Sequence, residues 1–142
     1  MSLEIRRADG RAEMDALLDL RHRVFCVEQG VPKREEIDGR DGDAIHLVAL
    51  RAGRVVGTCR LLFVDRTVQL SRLAVEPDVR REGIATALLH EADHEAAAAR
   101  ARRIVLHAQT YARELYTADG YEPRGRTFVE AGIEHIAMEK RL

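Results

Sequence analysis

The sequence predicts an α/β (α+β) fold, with a mixed, mostly antiparallel central sheet of about six to seven strands flanked by helices. Three β-rich runs follow one another at residues 45–50, 55–64 and 68–75 with only short polar turns between them, which reads as an antiparallel meander. Two stretches with apolar residues at helical spacing, near 9–28 and 83–100, bracket that meander. The length of 142 residues lies near the commonest size of one domain, so one core spanning 1–142 is expected.

Taken in order, Leu3, Ile5 and Ala8 suggest a short opening strand, and Met14, Leu17, Leu18, Val24 and Phe25 mark the helix that follows. Residues 29–44 are polar, contain Gly30, Pro32, Gly39 and Gly42 with a run of acids, and read as a loop of functional length. Pro77 stops the third strand of the meander. Gly83 then opens an alanine-rich helix carrying Ile84, Ala85, Leu88, Leu89, Ala92 and Ala96 on one face. A strand is expected at 103–108 and a helix at about 111–118 ending at Gly120, a fitting cap. Closing strands are expected at 121–124 and 133–140, and no internal repeat, linker or low-complexity tract interrupts the pattern.

Composition excludes several classes. With 46% hydrophobic residues the chain can bury a core, and with no Trp and 4% aromatics that core must be aliphatic. The formal net charge of -1 lacks the basic excess of a nucleic-acid binder, and the runs Arg80-Arg81 and Arg100 to Arg103 are short. Cys26 and Cys59 are far apart without a Cys-x-x-Cys spacing, which fits a reducing compartment. No signal-peptide core occupies the N-terminus and no stretch approaches the ~20 apolar residues of a membrane span, so a cytoplasmic protein without nucleic-acid or membrane partners is expected.

Residues 75–86 place a basic, glycine-containing turn between a strand and a helix N-terminus. Free amides of a first helical turn, together with the helix dipole, favour an anion such as phosphate, and Arg80 and Arg81 can add charge-assisted contacts. A solvated turn is the plainer alternative. Here the sequence resembles the GNAT acetyltransferase superfamily. Leu73-Ala74-Val75-Glu76-Pro77 followed by Arg80-x-x-Gly83-x-Ala85 is similar to its acyl-CoA signature, and the segment Ala112 to Tyr121, with Leu115-Tyr116 and Gly120, is similar to its second motif. A branch of small stand-alone members is resembled further in Arg21 to Gln29, which contains Val24-Phe25 and Glu28-Gln29, in Glu36-Ile37-Asp38-Gly39-Arg40-Asp41, and in Gly132-Ile133-Glu134-His135. Ala85, Gln109, Leu115 and Tyr121 depart from the commonest family residues, and Gln109 leaves a side-chain contact to a pantetheine arm open.

The resemblance implies an acetyl-CoA-dependent N-acetyltransferase with acetyl-CoA as acyl donor, no metal and a small amine acceptor, and it is compatible with a homodimer. It implies that Leu73, Ala74 and Val75 bind the pantetheine through their backbone and that the loop of Arg80, Arg81, Glu82, Gly83, Ile84, Ala85 and Thr86 holds the pyrophosphate. Gln109, Ala112 and Tyr116 complete the donor site, with Tyr116 as general acid. A phenol suits protonation of a thiolate of similar basicity, while a tyrosine merely packed on a helix is the alternative. For the base, Glu28, Glu36, Asp38, His46, His107 and His135 are all candidates, each equally readable as a loop acid or a strand histidine. The acids between Glu28 and Asp41 would suit a cationic acceptor.

His90-Glu91-Ala92-Asp93-His94 satisfies His-Glu-x-x-His, but the helix turns both imidazoles away from its apolar face, whereas a catalytic zinc needs a third ligand and a sheltered cleft. Competing functions are an acyl-homoserine-lactone-synthase-like acyltransferase, a non-catalytic CoA-binding regulatory module, and a structural interaction protein.

Overall fold

The β-rich runs assemble into one seven-stranded sheet of order β1-β2-β3-β4-β5-β7-β6 in a computed structural model that describes residues 2–142. The strands are β1 (Leu3–Arg7), β2 (Ile45–Arg51), β3 (Arg54–Val64), β4 (Thr67–Val75), β5 (Arg103–Gln109), β6 (Glu122–Glu130) and β7 (Ile133–Arg141). All neighbours are antiparallel except β4 and β5, which run parallel because α3 (Ile84–Ala98) crosses between them. Alternation sets the faces. Leu47, Cys59, Leu61, Ile104 and Leu106 turn to one side and meet Ile84, Leu88, Leu89, Ala92 and Ala96 of α3. On the other side, Leu17 and Leu20 of α1 (Gly10–Arg21) pack over Val48, Leu50 and Ala74.

Two features hold α3 where the site needs it. At Gly57 an added Cβ would lie 2.8 Å from Ile84 Cγ2 and 3.1 Å from Leu88 Cδ1, so only a glycine lets the first turns of α3 approach β3 so closely. Gly57 is the register partner of Val75, which ties the start of α3 to the end of β4. Within β4 the register shifts opposite Thr58 and Arg60, and Arg72 adopts a left-handed φ of 58° in this bulge.

Where structure and expectation differ, the reasons are local. The helix expected to 28 becomes a π-helix over His22–Glu28, a widening often found at functional sites, and it carries Phe25 to the edge of the main cavity. The expected loop 29–44 contains a short α2 (Lys33–Glu36) begun by Pro32, and a 3-10 turn at Asp41–Asp43. The helix expected from 111 begins as a 3-10 turn at Thr110–Ala112 and continues as α4 (Arg113–Ala118). β6 runs six residues past the expected end at 124, to Glu130; as an exposed edge strand with a bulge between Arg124 and Phe128, it shows no apolar alternation to read.

Candidate active site

The parallel pair opens into a gap. β4 and β5 are in register only from Thr67 to Gln69 against Arg103 to Val105, and beyond that point the strands part, so the rest of β4 has no partner on its β5 side. Glu76 N–H donates to Val56 O across β3, and strand alternation therefore turns the N–H groups of Leu73 and Val75 into the gap while Ala74 faces β3. The gap belongs to a cavity of about 1040 Å³ that also reaches the start of α3 and the β6–β7 hairpin.

At one end lies a backbone cradle. Arg81 (φ 65°) and Gly83 (φ 85°) are both left-handed, and the first helical bond of α3 runs from Ala87 N–H to Gly83 O, leaving the amides of Gly83, Ile84, Ala85 and Thr86 without an intrahelical partner. No side chain caps this end. A Cβ at Gly83 would meet nothing within 4 Å, so the space in front of these amides is open to a ligand. Four convergent donors at the positive end of a 15-residue helix make an anion site.

The arginines nearby are arranged differently from the expectation of free phosphate contacts. Arg80 Nε donates to Val75 O at 3.0 Å, and its two terminal nitrogens each donate to a different oxygen of Glu28 at 2.7 Å. That bidentate hydrogen bond holds the Glu28 carboxyl below its ordinary range. Glu82 turns out of the cavity and accepts from Arg51 at 2.6 Å. Arg81 is exposed at the cavity edge.

Tyr116, on α4, reaches the same cavity from the α3 side of the sheet. It is 8% exposed, stacks edge-on to Tyr121 at 5.9 Å, and its hydroxyl has no protein partner among the described residues. Burial, with Cys59 behind it, pushes this phenol far above the ordinary tyrosine range, so it retains its proton. Ala112 lines the cavity beside it, and Gln109 donates from Nε2 to Gln29 Oε1 at 2.9 Å, a bond that leaves its carbonyl oxygen available.

The base candidates separate sharply. Glu36 is buried and accepts from Arg21 Nε at 3.0 Å and Nη2 at 2.6 Å. Asp38 accepts from both terminal nitrogens of Arg60 at 2.8 Å, which holds its carboxyl far below the usual range. Burial alone would raise Asp41, but Arg21 and Arg60 outweigh it and lower the carboxyl. Of the acids expected to attract a cationic acceptor, Glu28, Glu36, Asp38 and Asp41 are therefore matched by arginines of the same chain, with Arg72 completing the set at 3.4 Å from Glu36 and Asp38, whereas Glu35 is exposed at the cavity without such a partner among the described residues. His46 is buried outside the cavity, its Nε2–H donating to Asp41 O at 2.9 Å. His107 and His135 do face the cavity, and between them stands Glu130, a residue the sequence reading passed over because β6 was expected to end at 124. Its signal was the Ala131-Gly132 turn, which brings Phe128 opposite His135.

On the far side of α3, His90 and His94 are 62% and 78% exposed, and no metal-competent cluster occurs among the described residues.

Comparison with known proteins supplies the family. The family described as acetyltransferase (GNAT) domain matches residues 16–142. The uncharacterized N-acetyltransferase YjcF of Bacillus subtilis (strain 168) is 33% identical over 122 residues, spanning 85% of this chain and 87% of its own length. An acyl-CoA N-acyltransferase from Pseudomonas aeruginosa superposes with a TM-score of 0.87 at 31% identity, over 98% of this chain and 99% of that one. Escherichia coli ElaA superposes with a TM-score of 0.88 at 27% identity, over 99% and 100%. A parted parallel strand pair, an amide cradle and a family match over most of the chain agree, and the chain belongs to the GNAT acetyltransferase family of acyl-CoA-dependent acyltransferases.

Proposed function

We propose that this chain, as a single domain of residues 1–142, moves an acetyl group from acetyl-CoA to the amine of a small acceptor by direct transfer in a ternary complex. The observation that carries this reading is the continuous cavity joining the amide cradle of α3, the open edge of β4 and the Tyr116 hydroxyl. Acetyl-CoA supplies an activated thioester joined through a long arm to a diphosphate. The free amides of residues 83–86 suit the diphosphate, and the N–H groups of Leu73 and Val75 suit the amide groups of the arm and the thioester carbonyl oxygen. A donor at that oxygen stabilises the charge that develops as the amine adds.

Tyr116 supports the second half of the reaction. Its hydroxyl is protonated at neutral pH and free of competing protein partners among the described residues, so it can hydrogen-bond the departing sulfur and pass its proton as charge develops there, while burial makes it a weaker acid than a free phenol. Thiol release from acetyl-CoA should be measured across a library of amines with the wild type and Tyr116→Phe. The variant is expected to lose about 10²-fold or more in kcat with little change in acetyl-CoA affinity, the usual scale of general acid catalysis. An unchanged kcat would remove Tyr116 from the chemistry, and acetyl-CoA binding without thiol release for any amine would leave a CoA-binding module.

A further inference from the structure

The geometry points to His135 as the general base that deprotonates the acceptor ammonium on the face of the sheet opposite Tyr116, with Glu130 beside it stabilising the protonated imidazole. This inference rests on the proposed acetyl transfer and assigns the proton acceptor within it.

Three observations carry it. The first is placement. Leu106 and Ala108 of β5 turn toward the cluster that contains Tyr116, so His107 and Gln109 turn to the opposite face. His135 is the register partner of Gln109 and therefore shares that opposite face, at the end of β5 that borders the gap. Acid and base thus approach the gap from its two sides.

The second is the tautomer. His135 Nδ1 lies 2.7 Å from Ile133 O, and a carbonyl can only accept, so the neutral ring carries its proton on Nδ1 and presents the Nε2 lone pair. The ring is 7% exposed and stacks on Phe128 with centroids 6.0 Å apart and an interplanar angle of 21°, which fixes its direction. A base held in one tautomer and one rotamer needs no reorganisation before it accepts a proton.

The third is the charge around it. Nε2 stands 3.8 Å from Glu130 Oε2, too far for a hydrogen bond to consume the lone pair, and a carboxylate at that distance attracts a cation formed on the ring. The same carboxylate lies 3.2 Å from His107 Nδ1 on β5. Of the remaining titratable groups nearby, Glu134 is turned to Thr110 at 3.0 Å, and Tyr111 in the 3-10 turn accepts from Gln29 at 3.2 Å. Glu28, Glu36 and Asp38 are bound to arginines and lack such a free, neutral acceptor.

The proton account balances. An acceptor arriving as ammonium loses two N–H protons: one passes to His135 Nε2 and on to solvent. The other leaves as the C–N bond forms, and replaces the proton that Tyr116 gives to sulfur as the C–S bond breaks. The reaction releases one proton per turnover and needs no further reactant.

The test is the pH dependence of kcat/KM for thiol release, using whichever library amine the wild type turns over best, with acetyl-CoA affinity measured in parallel. His135→Asn is expected to lower kcat/KM at neutral pH by about 10²-fold or more and to remove the limb that rises through the histidine range, leaving acetyl-CoA affinity unchanged. Glu130→Gln, at a half-exposed position, is expected to lower kcat/KM at neutral pH by less than His135→Asn does, because the cation formed on the ring loses the carboxylate 3.8 Å away. His94→Gln, on the outer face of α3, should leave the profile as it is. A His135→Asn enzyme with the wild-type profile, or a kcat/KM unmoved by Glu130→Gln, would overturn the assignment while leaving acetyl transfer intact. No thiol release by the wild type with any amine would overturn both.

Discussion

Two sides of the cavity use charge in opposite ways. On one wall, Arg21, Arg60 and Arg72 interlock with Glu36, Asp38 and Asp41, three cations against three anions, with Arg21 and Glu36 wholly buried. On the other, one carboxylate, Glu130, faces two imidazoles that carry no formal charge when neutral. The first wall has each charge answered and is a frame: it pins α2 and the 3-10 turn of residues 41–43 to α1 and to β3. The second has no arginine on its carboxylate and leaves the Nε2 lone pair of His135 unbonded, which a frame has no use for and proton transfer requires. Glu36, Asp38 and Asp41 therefore say how the loop is fastened, and of the acids of residues 29–44 that line the cavity Glu35 alone lacks an arginine partner among the described residues.

The comparison breaks first at Arg21. Replacing it by Met leaves the buried Glu36 with only the weaker Arg72 contact at 3.4 Å, and loss of one partner of a buried pair costs about 3–5 kcal/mol. Urea unfolding of Arg21→Met should show a loss on that scale, at the lower end if Arg72 moves in. A change below about 1 kcal/mol, the worth of a surface pair, would mean that this wall is no frame. Acid supplies the next test. Asp38 and Asp41 have folded-state pKa values below their unfolded ones, so their contribution is fully present above about pH 4 and is lost as pH falls below it, where the folded protein resists protonation that the unfolded chain accepts. Asp38→Asn should be less stable than wild type at neutral pH by on the order of 1–2 kcal/mol after solvent screening, with a shallower decline below pH 4. Parallel declines would mean that Asp38 takes no part in the acid response.

How much of this was legible follows from how each part is built. The cradle is a contiguous backbone device, and Gly83 between Arg80 and Ala85 marks it in a short window. Gly57 was not legible, because the reason for it, the methyl of Ile84 at 2.8 Å, sits on another element. The framing network escaped for the same reason: Arg21 and Glu36 lie in motifs that could be quoted side by side, yet nothing in their spacing says that one guanidinium holds both Glu36 and Asp41, or that Arg60 and Arg72 close the set. The histidine wall was half legible. His107 and His135 stood among many candidates, and only the strand register, Gln109 with His135 and Phe128 with His135, selects the face they share.

The smallest expected effect concerns the seam between the end of β4 and the π-helix. Arg80 spans it, its Nε on Val75 O and its terminal nitrogens on Glu28 at the end of the π-helix. A guanidinium already chelated by a carboxylate can reach a diphosphate at the cradle only by giving up that pair, so part of its attraction is spent before the donor arrives. Both side chains are more than a third exposed, so the pair contributes about 0.2–1 kcal/mol. Glu28→Gln is then expected to tighten coenzyme A binding by about twofold to fivefold, read by titration calorimetry, with almost no change in unfolding midpoint. Unchanged affinity would instead identify Arg80 as a strut that fixes Val75 O and the π-helix, and Arg80→Ala would then reduce kcat rather than donor affinity, because the edge of β4 that faces the thioester would lose its anchor while the amide cradle kept its four donors.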